Sequence, residues 1–167
     1  MPDGLTIRQA VTADLPALEW DGAFQHYRRM YASIYQNTQS GTALMWVVET
    51  AELEIIGQAF VMLVSTEKSA ADGKNRAYVF AFRVKPSWRD SGVGSELMGF
   101  IENDLRQRGY KAVTLNVAKD NQGALRLYRR LGYHVIESKS GRWSYEDHQG
   151  VVRQVHEPSW RMIKKLS

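Results

Sequence analysis

The sequence predicts a mixed α/β sheet with helices packed on it. Three observations carry this. Ala77–Val84 (Ala-Tyr-Val-Phe-Ala-Phe-Arg-Val) is short, nearly continuous in apolar residues, and stopped by Pro86, as expected of a strand buried on both faces. From Gly92 to Arg108 the period lengthens. Val93, Leu97, Ile101 and Leu105 fall on one stripe, and Gly109 follows as a C-terminal cap, which describes an amphipathic helix. Strand-like and helix-like segments then alternate to the end of the chain, which places the protein in the α/β class.

The remaining elements follow in order. Leu5–Arg8 is a short strand. Asp14 is placed to cap a helix starting near Leu15-Pro16. Trp20, Phe24, Tyr27, Tyr31 and Tyr35 recur every three or four residues, so Trp20–Tyr35 reads as helix with one aromatic face. That face is either core or a substrate wall. Leu44–Glu49 and Glu54–Val64 read as two strands joined by a short turn, and the polar stretch Ser65–Arg76, with Asp72-Gly73, as a loop. Lys111–Val117 is the next strand. Asn121–Leu131 is a second amphipathic helix, closed by Gly132. Tyr133–Ser138 and Trp160–Lys165 are late strands, with a loop or hairpin around Ser140–Gly150 between them.

Composition limits the chemistry. The 167 residues suit one domain covering 1–167, and 44% apolar with 24% charged content is that of a soluble globular protein. With no cysteine, disulfides, thiolate catalysis and zinc–thiolate sites are excluded. No signal peptide and no apolar run of bilayer length is read, which points to the cytoplasm and away from membranes. The net charge of +4 is spread along the chain. Lys and Arg form no stripe, so nucleic-acid binding is the weakest reading.

Two local patterns carry chemistry. Arg89-Asp90-Ser91-Gly92-Val93-Gly94 lies between the buried strand and a helix start. Glycines there allow left-handed turns and close approach of a ligand. The first amides of the helix then make a seat for phosphate or pyrophosphate, and Arg89 can add charge-assisted bonds. A dinucleotide fingerprint needs a further glycine where Leu97 stands, and a P-loop needs Gly-Lys-Ser/Thr, which is absent. The second pattern is Asn121 with Tyr128, seven residues apart on one helix face. A buried phenol, with an ordinary pKa near 10, either packs or donates its proton to a leaving thiolate.

Val84-Lys85-Pro86-Ser87-Trp88-Arg89-Asp90-Ser91-Gly92-Val93-Gly94 with Leu97-Met98 resembles motif A of the GCN5-related N-acetyltransferases (GNAT superfamily). Asn121, Ala124, Tyr128 and Gly132-Tyr133 resemble its motif B, and Ile7-Arg8-Gln9-Ala10 with Asp14 resembles the family's opening. The resemblance covers nearly the whole chain in the right order. It implies a mostly antiparallel central sheet of about seven strands flanked by about four helices. It also implies acetyl-CoA as co-substrate, no metal, and an amine acceptor, and leaves a homodimer open. Backbone groups near Phe82, Arg83 and Val84 are expected on the pantetheine arm and thioester, and amides of Asp90, Ser91, Gly92, Val93 and Gly94 on the pyrophosphate. Asn121 is expected on the pantetheine arm and Tyr128 as proton donor to the CoA sulfur.

One feature departs from the family pattern. Many members carry a glutamate base on the motif-A strand or the next one. Here Val79–Lys85 has no carboxylate, and Asn116 stands where a Glu could sit. A water relay, His26, Glu49, Glu137 or Asp147 are the alternatives. A non-catalytic acyl-CoA-binding domain on the same fold is the competing function. For the acceptor, Trp20, Phe24, Tyr27, Tyr31, Trp143 and Tyr145 with acidic Glu146-Asp147 suit a cationic amine.

Overall fold

A computed structural model describes residues 3–167. Seven strands form one sheet in the order β1-β2-β3-β4-β5-β9-β6. They are β1 (Thr6–Gln9), β2 (Ala43–Glu49), β3 (Ile55–Met62), β4 (Arg76–Val84), β5 (Ala112–Ala118), β6 (His134–Lys139) and β9 (Ser159–Lys165). Among the described residues only β4 and β5 pair in parallel. Strands β7 (Arg142–Glu146) and β8 (Val152–His156) form a separate hairpin. The α-helices are α1 (Arg28–Gln39), α2 (Val93–Gln107) and α3 (Gln122–Arg130). A 3-10 segment at Thr12–Glu19 takes the place of the expected first helix. No helix among the described residues is long and apolar enough to cross a membrane.

Strand alternation divides the core in two. Leu44, Trp46 and Val48 of β2 pack with the α2 stripe of Val93, Leu97, Ile101 and Leu105. Ala43, Met45 and Val47 point the other way and pack with Tyr31 and Ile34 of α1. The sheet is thus covered by α2 on one face and α1 on the other, which is why β2 and β3 are buried almost throughout. Tyr133, just after α3, donates to the buried Glu102 of α2 at 2.8 Å, and Lys164 of β9 reaches the same carboxylate at 2.8 Å. A buried carboxylate left without such partners would be costly to the fold.

Three expectations are corrected. Asp14 does not precede its helix. It lies inside the 3-10 segment and accepts from the Val11 amide at 2.7 Å and from Arg8. The aromatic helix does not begin at Trp20. Trp20 (φ 47°), Asp21 (φ 56°) and Gly22 (φ 98°) are left-handed, so the chain turns there and α1 starts only at Arg28. Finally, β4 is not buried on both faces: Ala77, Val79 and Val84 are buried, whereas Tyr78 and residues 80–83 are half-buried and border open space.

That open space has a backbone cause. Gln58 pairs with Arg83 and Phe60 with Phe80, so β4 holds one more residue than β3 over this stretch. The bulge includes Ala81, left-handed at φ 52°, and the buried Gln58 clips it by donating to the Ala81 carbonyl at 3.2 Å. Bulges bend the strand that carries them. Parallel pairing of β4 with β5 runs from Arg76–Ala112 to Val79–Leu115 and stops there, while β5 continues to pair with β9 through Ala118. Beyond Val79 the two strands splay into a slot.

Candidate active site

The slot opens toward the start of α2. Lys85 donates to the Ile56 carbonyl of β3 at 2.8 Å. Backbone groups alternate along a strand, so the Val84 N–H points the other way, into the slot. The turn from β4 into α2 uses Asp90 (φ 60°) and Gly92 (φ 87°), both left-handed, and Gly92 caps the helix without a side chain. The Glu96 amide returns to the Gly92 carbonyl at 3.1 Å. The amides of Val93, Gly94 and Ser95 are the unclaimed first-turn donors of a helix, and with the helix dipole they form an anion seat. Ser91 donates its hydroxyl to the Trp88 carbonyl, and Arg89 folds back to donate from Nε to the Val84 carbonyl at 3.0 Å. Gly94 is needed for a reason its motif does not state: a Cβ there would lie 3.2 Å from Phe82 Cζ.

Asn121 is the N-cap of α3, its Oδ1 accepting from the Ala124 amide at 3.1 Å. Tyr128 lies on the buried side of that helix, its ring against Phe82 and Tyr133 at centroid distances of 6.1 and 6.0 Å. Its hydroxyl has no hydrogen-bond partner among the described residues. Burial, with a smaller push from Tyr78, raises its pKa to about 12. Tyr78 belongs to β4 and lines the adjoining cavity.

That cavity, about 620 Å³, lies on the α1 side of β4 under the β7–β8 hairpin. Tyr27, Tyr31, Phe80, Arg83, Trp143 and Arg161 give its character. The expected aromatic cluster does form: Tyr27 meets Tyr31, Trp143 and Tyr145 at 5.9, 6.3 and 5.0 Å. Sequence reasoning missed three residues here, and the placement of the Arg83 side chain. Arg83 places its guanidinium over Phe24, 4.1 Å from the centroid, and donates to the Tyr31 hydroxyl at 2.8 Å. Arg161 of β9 is 2% exposed and donates to Asn116 Oδ1 at 2.6 Å, where a base could stand in relatives. Glu67 and Glu157 are the carboxylates of the lining. Glu67 is tied to Lys139 at 2.7 Å and to Arg161 at 3.4 Å, and the Lys139 bond holds its pKa below the usual range.

None of His26, Glu49, Glu137 or Asp147 lines the cavity. Glu49 pairs with Arg8 on the far edge of the sheet. Asp147 is buried in the hairpin turn, where the amides of Val151 and Gln149 and the Arg153 side chain hold its pKa down at about 2. Glu146 pairs with Arg29. The Glu146-Asp147 pair is therefore already committed within the protein.

Residues 10–133 match the acetyltransferase (GNAT) family. The chain belongs to the GNAT acetyltransferase family. Mycothiol acetyltransferase of Propionibacterium freudenreichii is 26% identical over 146 residues, covering 84% of this chain and 46% of that protein. The chain spans less than half the length of the curated relatives it matches. The ribosomal-protein-S18-alanine N-acetyltransferase of Escherichia coli superposes with a TM-score of 0.73 at 21% identity, over 98% of this chain and 94% of that one. A GNAT acetyltransferase of Elizabethkingia anophelis with acetyl-CoA bound gives 0.70 at 12% identity, over 99% and 100%. At these identities the structural likeness concerns the fold.

Proposed function

We propose that this GNAT domain transfers an acetyl group from acetyl-CoA to a primary amine by direct attack on the thioester. The splayed β4–β5 slot, running from the α2 amides to the Tyr128 hydroxyl, carries this reading. The pyrophosphate sits on the amides of residues 90–94, with Arg89 beside it. The pantetheine arm runs along Phe82, Arg83 and Val84 and past Asn121. The Val84 N–H steadies the thioester oxygen as charge grows there. The amine nitrogen bonds to the acetyl carbon, the C–S bond breaks, and the sulfur takes the proton of Tyr128. The amine's own proton goes to Glu157, the one lining carboxylate that has no cationic partner among the described residues. Asn116, bonded to Arg161, cannot serve.

Two experiments test the assignment. Titration calorimetry should show saturable acetyl-CoA binding, and Gly92→Asp should abolish it. The substituted residue would have to hold φ 87° and would bring a negative charge to the phosphate seat. No binding by the wild type at millimolar acetyl-CoA sinks the reading. For the proton acceptor, Glu157→Gln should lower kcat by roughly 10²-fold, as expected for general base catalysis, with acetyl-CoA affinity retained. An unaltered kcat returns the role to water.

A further inference from the structure

Arg83 stands out in the cavity. Its neighbour Phe82 packs against Gly94 of α2, so strand alternation sends Arg83 to the opposite side of the sheet, away from the phosphate seat. There its guanidinium lies over Phe24 at 4.1 Å and Tyr27 at 5.6 Å. The Tyr31 hydroxyl fixes it at 2.8 Å, and Tyr31 is itself 1% exposed. Among the described residues no carboxylate lies within ion-pair distance of Arg83. Arg161, the buried cation of the cavity, is compensated by Glu67 and bonded to Asn116 and Ser69. A guanidinium has five donors, and its planar fork matches a carboxylate. Arg83 is thus a preorganised cation with donors to spare, facing the space where an acceptor would bind.

The aromatic cluster consequently has its cation already. Three arginines (Arg83, Arg142, Arg161) line the cavity against two glutamates, Glu67 and Glu157. A second positive charge on the acceptor would be repelled, whereas an anionic group would be drawn to Arg83. Glu157 supplies the negative end for the ammonium.

We propose that Arg83 anchors a carboxylate of the acceptor, so that the amine acetylated here belongs to a small zwitterion of the α-amino-acid type. The inference rests on the acetyltransferase reading. It concerns which amine is used, and excludes polyamines and peptide amino termini as preferred acceptors.

The test uses the intact chain with acetyl-CoA and matched acceptors: common α-amino acids, their decarboxylated amines, spermidine, a tetrapeptide with a free amino terminus, and aminomethylphosphonate beside glycine. At least one amino acid should exceed its decarboxylated amine in kcat/KM by about 30-fold or more, the worth of a desolvated hydrogen-bonded charge pair. Arg83→Lys keeps the charge but loses the fork, and Arg83→Met loses both. Each should collapse that ratio to within a few-fold of one, with melting curves confirming the fold. Equal or better use of the decarboxylated amine, spermidine or the tetrapeptide overturns the proposal, as does a ratio insensitive to Arg83. Preference for aminomethylphosphonate assigns the anchor to a phosphate-like anion and overturns the carboxylate. If acetyl-CoA binds but no amine turns over, amino acids are titrated into the chain–CoA complex. Absence of saturable, Arg83-dependent binding then overturns this inference alone. Failure to bind acetyl-CoA removes the acetyltransferase reading and this one together.

Discussion

Tyr128→Phe is expected to lower kcat by about 10²-fold, the low end of general acid catalysis, while the dissociation constant for acetyl-CoA stays near the wild-type value. The ring packs on Phe82 and Tyr133, and phenylalanine keeps those contacts. Only the hydroxyl is lost, and it has no hydrogen-bond partner to abandon among the described residues. The low end applies because a CoA thiolate is a fair leaving group without help. The pH dependence follows from the same burial. With its pKa raised to about 12, the phenol is protonated below that value, so from pH 6 to 10 it supplies no falling limb to the kcat profile. Any basic limb in that window must come from another group. A wild-type kcat for the variant would leave Tyr128 as packing alone.

Gly141→Ala should be the most damaging small substitution in the cavity wall. Gly141 has φ 68°, and its carbonyl accepts from the Glu157 amide at 2.9 Å, closing the base of the β7–β8 hairpin. A Cβ there would lie 1.7 Å from the Glu157 carbonyl oxygen. Backbone must therefore move, which adds an overpacking cost to the ordinary left-handed penalty. We expect a loss of roughly 2–4 kcal/mol, read as a melting temperature lower by about 5–15 °C, together with reduced turnover because Glu157 shifts. Gly41→Ala is the control. Its φ is 82° with nothing within 4 Å of the new methyl, so it carries the dihedral cost alone, about 1–2 kcal/mol. Equal losses in the two variants would mean that the hairpin base is not tight.

The sheet, the turn into α2 and the α3 helix were legible in the sequence because their signals are local. The α2 stripe, the Gly92 turn and the Asn121–Tyr128 spacing each lie within one helix and its cap. The cavity under the hairpin was not legible, because it is assembled from distant strands. Arg83 meets Tyr31 across fifty-two positions, and Arg161 meets Asn116 across forty-five. A charged residue inside the apolar run of β4 was the available sign for Arg83. Glu157 lies outside every motif, and only the return of the hairpin brings it to the cavity. The aromatic stripe misled for a different reason. Its spacing continues through Asp21-Gly22, a turn dipeptide, so periodicity ran on where the backbone had already broken.

The extra residue in β4 also bears on how acetyl-CoA would enter the proposed slot. Ala81 and the buried Gln58 hold the strands apart through covalent length and one internal bond, with nothing contributed by a guest. A groove kept open in this way does not have to be pried apart. Association then spends little on rearranging the main chain, and an encounter that finds the right orientation can proceed directly to the seated complex. The same rigidity has an opposite face. A strand that cannot rejoin β5 leaves its edge amides exposed between turnovers, so this edge depends on its bulge and its flanking helices to keep it from pairing with another chain.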